Sequence, residues 1–267
     1  MRHAVSRGFA LVVCLSPSGV RSPRGAAAWR NRAVERQTTS RVLAICAWLA
    51  AVLPLVALVA FSAAYRFDAG RFTDLPSIVG DRDAATLMRW AGLIDMTAYL
   101  PVAPVVIFFH RRLADRAPDL IGLLTFCGLA YVLLGSLGGT LFATVGPPLI
   151  EDGSPAARVT FAAFASMVTI GLWGTLELIG FGVWLVGVGW LLRAESAGFG
   201  TLAIVAGIGS LLSSARTGIT GRSVGDLPGL PDLIVVGLLG LALPWLAWLG
   251  IRLYRGWVPG PARQAAA

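Results

Sequence analysis

Lysine is absent from this chain and histidine occurs only at His3 and His110, so all 22 basic residues are arginine. Charge of either sign is scarce, at 13% of residues against about a quarter in soluble proteins, while 56% are apolar. A chain so poor in charge cannot cover a water-facing surface, and the implied solvent is a bilayer. Arginine without lysine, beside abundant Ala, Gly, Val and Leu, points to a high-GC bacterial coding sequence rather than to a mechanism.

Cys14, Cys46 and Cys127 form an odd set with no CxxC pair, which excludes a disulfide framework and a cysteine metal site. With His3 in a basic tail and His110 beside Arg111 and Arg112, a histidine metal centre or a catalytic triad is excluded too. The chain has no GxxxxGK[ST] phosphate loop, no HExxH and no GxGxxG following a strand. Neither a metal nor a cofactor is expected.

What is present begins with a charge asymmetry. Residues 1–41 hold eight Arg and one Glu, leaving the remainder of the +8 chain close to neutral. Such a composition predicts a disordered tail that holds anionic lipid headgroups, at roughly 1 kcal/mol per Arg near the surface. Nucleic acid is not an expected partner, because no folded basic module accompanies the tail. Residues 9–15 are too short an apolar run for a signal peptide, and Val34 offers an alternative start of translation.

Long apolar runs predict six spans at about 42–65, 90–109, 120–145, 159–192, 198–214 and 232–254, an all-α polytopic membrane bundle. Pro54 and Pro244 should kink the first and last. Residues 66–89 read as a polar connection in which Asp83 caps the approaching helix, 146–158 as a turn, and 216–231 as a loop. Gly135-Ser-Leu-Gly-Gly139 is a GxxxG arrangement that admits a close helix neighbour.

Arginine also sets orientation. With both termini inside, fifteen Arg lie on the inner side and seven outside, and Arg111, Arg112, Arg116, Arg193, Arg252 and Arg255 abut span ends. Both termini are therefore expected in the cytoplasm of a bacterium, with the spans in its cytoplasmic membrane.

Two carboxylates interrupt the spans. Glu177 lies 16 residues before Arg193 and Asp95 lies 16 before Arg111, so both fall about 24 Å from the inner boundary at 1.5 Å per residue. Arg216, after the fifth span, could reach that level, and Tyr99 is one turn from Asp95 as a hydrogen-bond donor. Trp173 and Trp184 flank Glu177 at helical spacing, with Gly174, Gly180 and Phe181. Charges facing lipid cost on the order of 3 kcal/mol, so the acids should point inward. Asp95, Glu177, Arg216, Tyr99, Trp173 and Trp184 are thus the candidate binding residues, and no catalytic residue is assigned.

The run Leu178-Ile-Gly-Phe-Gly-Val-Trp-Leu-Val-Gly-Val-Gly-Trp-Leu-Leu-Arg193, followed by Gly198-Phe-Gly and Ala206-Gly-Ile-Gly-Ser-Leu-Leu212, resembles the uncharacterised bacterial membrane proteins of domain of unknown function 4386. The likeness covers about a quarter of the chain. It implies a multi-pass helical protein without an assigned activity and supplies no catalytic residues.

Two functional classes follow. The acids act as structural pins in a non-enzymatic structural or accessory membrane protein, or they form the working pair of a small-molecule or proton-linked transporter or sensor. An intramembrane enzyme is a third reading, and partners beyond the lipid bilayer reduce to a second copy or another membrane protein.

Overall fold

The structure, a computed structural model, describes residues 23–68, 70–71, 74–221 and 230–257, with side chains from residue 37 onward except 230–232. The chain forms two compact units, Met1–Thr38 and Thr39–Ala267. Of the first, the described part is helical backbone from Pro23. Its Ala26-Ala27-Ala28 run and interspersed Arg are strong helix formers, so 23–41, expected to be disordered, is helical; residues 1–22 lie outside the described residues.

Six helices are long and apolar enough to cross a membrane: Gln37–Ala64, Arg82–Leu113, Pro118–Asp152, Pro155–Leu192, Ala197–Thr220 and Leu233–Tyr254. No strand occurs among the described residues, and the fold is an all-α helical bundle.

Several helix ends correct the sequence reading. The second helix starts at Arg82, not near Trp90, because Ala84, Ala85, Met88 and Ala91 repeat at helical spacing and are buried, while Arg82, Asp83 and Arg89 face outward. Asp81, not Asp83, is its cap, accepting from the N–H groups of Asp83 at 3.1 Å and Ala84 at 3.2 Å. The Ala84 N–H, and the Arg66 guanidinium 2.7 Å away, hold the Asp81 carboxyl below the usual carboxylate range.

The third span continues through Gly146–Asp152, and the expected 146–158 turn contracts to Gly153, at φ 68°, and Ser154. Glycine adopts that left-handed backbone without the Cβ clash, and Ser154 Oγ then caps the fourth helix by accepting from Ala157 N–H at 3.1 Å. The fifth helix runs to Thr220, so Arg216 sits within a helix rather than in a loop. In the sixth, Leu230–Gly240 gives way to Ala242–Tyr254. Pro244 causes the break by excluding the carbonyl of residue 240, as its position predicts.

The fourth helix packs most extensively on the fifth, and the second on the third. Both seams are made of glycine. A Cβ added at Gly207 would stand 2.8 Å from the Gly182 carbonyl oxygen, and one at Gly189 would stand 2.7 Å from that of Gly200. A Cβ at Gly139 would meet Met96 N at 2.6 Å, and one at Gly92 would meet Ala143 N at the same distance. Backbone touches backbone at these points, which is the close approach that the Gly135–Gly139 spacing anticipates.

Two apolar clusters are stacked along the bundle. One contains Phe109, Leu124, Phe181, Trp184, Phe199 and Trp245. The other contains Ile78, Met88, Phe142, Ile150, Phe161 and Val168. Where the buried members of one cluster give way to those of the other, the second helix runs from Met88 to Val102, the third from Val132 to Phe142 and the fourth from Val168 to Phe181, with Tyr99 against the first cluster and Trp173 against the second.

Candidate functional site

That intervening layer is where the polar groups of the spans collect. Tyr99 Oη donates a hydrogen bond to Glu177 Oε1 at 3.1 Å, joining the second helix to the fourth across the face of the third. The contact exists because residue 135 has no side chain: a Cβ at Gly135 would fall on the Tyr99 ring. Tyr131, one turn from Gly135, meets Tyr99 edge-on at 5.2 Å and stacks on Phe181 at 4.3 Å. Asp95 lies one turn before Tyr99 on the second helix, so the two share a helix face. The hydrogen bond puts Tyr99 and Glu177 in one layer of the bundle.

Each acid keeps one oxygen unsatisfied by protein. Glu177 is buried, at 5% exposure, and its Oε2 has no hydrogen-bond partner; neither has the buried Oδ2 of Asp95. Among the described residues, the ion pairs are Arg66–Asp81, Arg71–Asp68, Arg89–Glu151 and Arg116–Glu195, and none joins Arg216 to either acid. Arg216 is half-buried in the fifth helix, while the buried hydroxyl residues Ser210, Ser213, Ser214 and Thr217 form a separate stripe on that helix.

The fourth helix is not regular here. From Met167 to Glu177 it is a π-helix, with Thr175 Oγ1 donating to the carbonyl five residues back, Ile170 O, at 2.7 Å. Ser214 Oγ of the fifth helix donates to Thr175 O at 2.9 Å, a carbonyl that also accepts from Leu178 N–H. Thr217 packs on Gly174, where a Cβ would stand 2.7 Å from its methyl, and its own hydroxyl oxygen is buried without a partner. Glu177 is the last residue of the π segment.

The two tryptophans part company. Trp173 stacks on Phe142 at 5.1 Å, donates to Gly135 O at 3.4 Å and lies against Gly138. Trp184 joins the other cluster, edge-on to Phe109 at 6.3 Å and Trp245 at 5.9 Å. Asp95, Tyr99 and Glu177 are thus brought together with Trp173 on one side and Trp184 on the other.

Sequence reasoning passed over Tyr131, Ser214 and Thr217. Their signals were Tyr131 one turn before Gly135 and the 210, 213, 214, 217 spacing of hydroxyls inside an apolar span. It also takes a GxSxG elbow to be absent, whereas Gly221-Arg-Ser-Val-Gly225 has that spacing. That motif needs a strand-to-helix turn, whereas here a helix ending at Thr220 precedes it; residues 222–229 lie outside the described residues.

Fold and site together define a multi-pass helical membrane protein with a buried carboxyl layer between two apolar clusters. Comparison of the chain with protein-family models, with curated proteins and with solved structures gives no match.

Proposed function

We propose that this is a non-enzymatic integral membrane protein whose Asp95–Tyr99–Glu177 layer takes up a proton, in the manner of a small-molecule or proton-linked transporter or a sensor. The observation that supports this reading is the pair of orphaned carboxyl oxygens, Glu177 Oε2 and Asp95 Oδ2, with no arginine paired to either acid among the described residues. An ionised carboxylate in a low-dielectric interior needs a counter-charge or a proton, and two of them at one level need it more strongly. Tyr99 holds Glu177 in place but supplies no charge.

The test is reconstitution into vesicles with a trapped pH-sensitive dye and an imposed pH gradient. A proton flux or pH-linked fluorescence change is expected from the wild type and should be lost in Asp95→Asn and Glu177→Gln. Equal signals from wild type and both variants would refute the proposal.

A second reading, the acids as structural pins, is favoured by the Tyr99–Glu177 hydrogen bond and the seating of Tyr99 on Gly135. It requires Glu177→Gln to cost stability without any pH-linked signal in the wild type.

The proposal places the protein in a bacterial cytoplasmic membrane with both termini inside. Arg112, Arg116, Arg193 and Arg252 at adjoining helix ends support that orientation. Reporter fusions at the two termini test it. The likeness to domain of unknown function 4386 is carried in the same proposal, as a class without an assigned activity.

A further inference from the structure

At the arginine-bearing end of the bundle, Arg252 occupies the last turn of the sixth helix inside a collar of aromatic rings. Its guanidinium carbon stands 4.3 Å from the centroid of Trp257, 5.0 Å from Phe199 and 6.0 Å from Trp248. Phe199 is fully buried and stacks on Trp245, so this part of the collar is anchored in the apolar cluster beneath. Aromatic faces attract the cation but leave the N–H edge of a guanidinium, which carries five donors, without strong acceptors.

The protein does not fill that gap. The Arg252 side chain is half-exposed, its Nη1 is closed off against the rings, and among the described residues neither a hydrogen-bond acceptor nor a carboxylate pairs with the guanidinium. The carbonyls of the helix end are engaged by other donors. Arg255 N–H bonds Ile251 O, Trp257 N–H bonds Arg252 O, and both Gly256 N–H and Ser40 Oγ bond Leu253 O. The neighbouring arginine corner differs: Arg116 is paired with Glu195 and also reaches Leu191 O.

A cation in the last turn of an apolar helix long enough to span, ringed by aromatic side chains and lacking an internal anion, has the chemistry to meet a phosphate. Aromatic belts mark the headgroup region, and guanidinium matches phosphate oxygens through paired N–H donors. We propose that Arg252, held by Phe199, Trp248 and Trp257, binds the phosphodiester of an anionic phospholipid. The collar holds the guanidinium on its enclosed side, and the lipid phosphate accepts from the N–H donors left on its exposed side. The site is separate from the carboxyl layer and does not depend on the function proposed for it.

The full chain in detergent, titrated with phosphatidylglycerol or phosphatidylcholine and read by native mass spectrometry, tests the assignment. Wild type should retain phosphatidylglycerol preferentially, and Arg252→Gln should lose about tenfold or more of that preference, the order of a hydrogen bond to a charged group and above the roughly fivefold of one arginine at an anionic surface. Arg255→Gln removes the same charge from an exposed neighbour and should lose less than half as much. Trp257→Leu keeps the charge but opens the collar, and should weaken retention even if Arg252→Gln fails to fold. Equal losses in Arg252→Gln and Arg255→Gln would reduce the effect to general surface charge and overturn the site. Displacement of the lipid by millimolar inorganic phosphate would overturn the lipid in favour of free phosphate.

Discussion

Replacing Gly135 by Ala tests whether the second, third and fourth helices communicate through Tyr99. The new methyl would occupy the space of the Tyr99 ring, so the ring must move, and with it the hydroxyl that bonds Glu177 at 3.1 Å. Overpacking of this kind costs about 1–3 kcal/mol, and stranding a buried carboxyl oxygen adds about 1 kcal/mol. Gly135→Ala should therefore cost roughly 2–4 kcal/mol. Tyr99→Phe, which removes only the hydroxyl, should cost roughly 1–2 kcal/mol. In the double variant the hydrogen bond can be lost only once, so the summed single costs should exceed the double cost by about 1 kcal/mol. The measurement is thermal or denaturant unfolding of the four proteins in one detergent. Costs that add to within about 0.5 kcal/mol would show that the Ala methyl does not act through the hydroxyl and would refute the reasoning.

Three further outcomes follow from other parts of the structure. Gly207→Ala should destabilise by about 1–3 kcal/mol, because its Cβ meets backbone atoms at 2.8 Å that cannot yield. Gly237→Ala, with nothing within 4 Å, should be neutral or stabilising, and equal unfolding midpoints for the two variants would contradict the seam. Asp81→Ala should cost about 1 kcal/mol through loss of the cap. Because the folded carboxyl titrates below its unfolded value of about 3.9, this contribution is fully present above that value and disappears as pH falls through the folded one. The wild-type advantage over Asp81→Ala should shrink in acid and persist at neutral pH; a constant difference would remove Asp81 from the account. In Ser154→Ala, a loss of about 1 kcal/mol is expected from removal of the fourth helix's side-chain cap, read by the same unfolding assay.

The number of spans was legible because length and hydropathy decide it. Tyr99 as a donor to an acid of the spans was legible as well, since arginines at span ends serve as a ruler, at about 1.5 Å per residue, that sets the stretches around Tyr99 and Glu177 side by side. Helix starts were less so: Arg82, Asp83 and Arg89 look like a loop until Ala84, Ala85 and Met88 are seen to form a buried face beneath them. Arg216 shows a different limit. Depth alone cannot tell which side of a helix a residue occupies, and the fifth helix buries Ser213, Ser214 and Thr217 while Arg216 stays half-exposed. The π segment was hidden because apolar residues around Gly171 and Gly174 fit an α-helical period equally well, and only the partners on the fifth helix distinguish the two windings.

The glycine seam between the fourth and fifth helices bears on how the chain is made. A short link joins Leu192 to Ala197, and the facing pairs Gly189–Gly200 and Gly182–Gly207 lie successively farther from that turn, like teeth of a zipper. Contacts close in sequence have little chain entropy to overcome. Once both helices have left the ribosome they can close from the turn upward as a single insertion unit, before the sixth helix is synthesised. The last contacts to engage are those of Gly174 and Thr175 with Thr217 and Ser214, so the π-helical segment that ends at Glu177 is packed at the end of that closure.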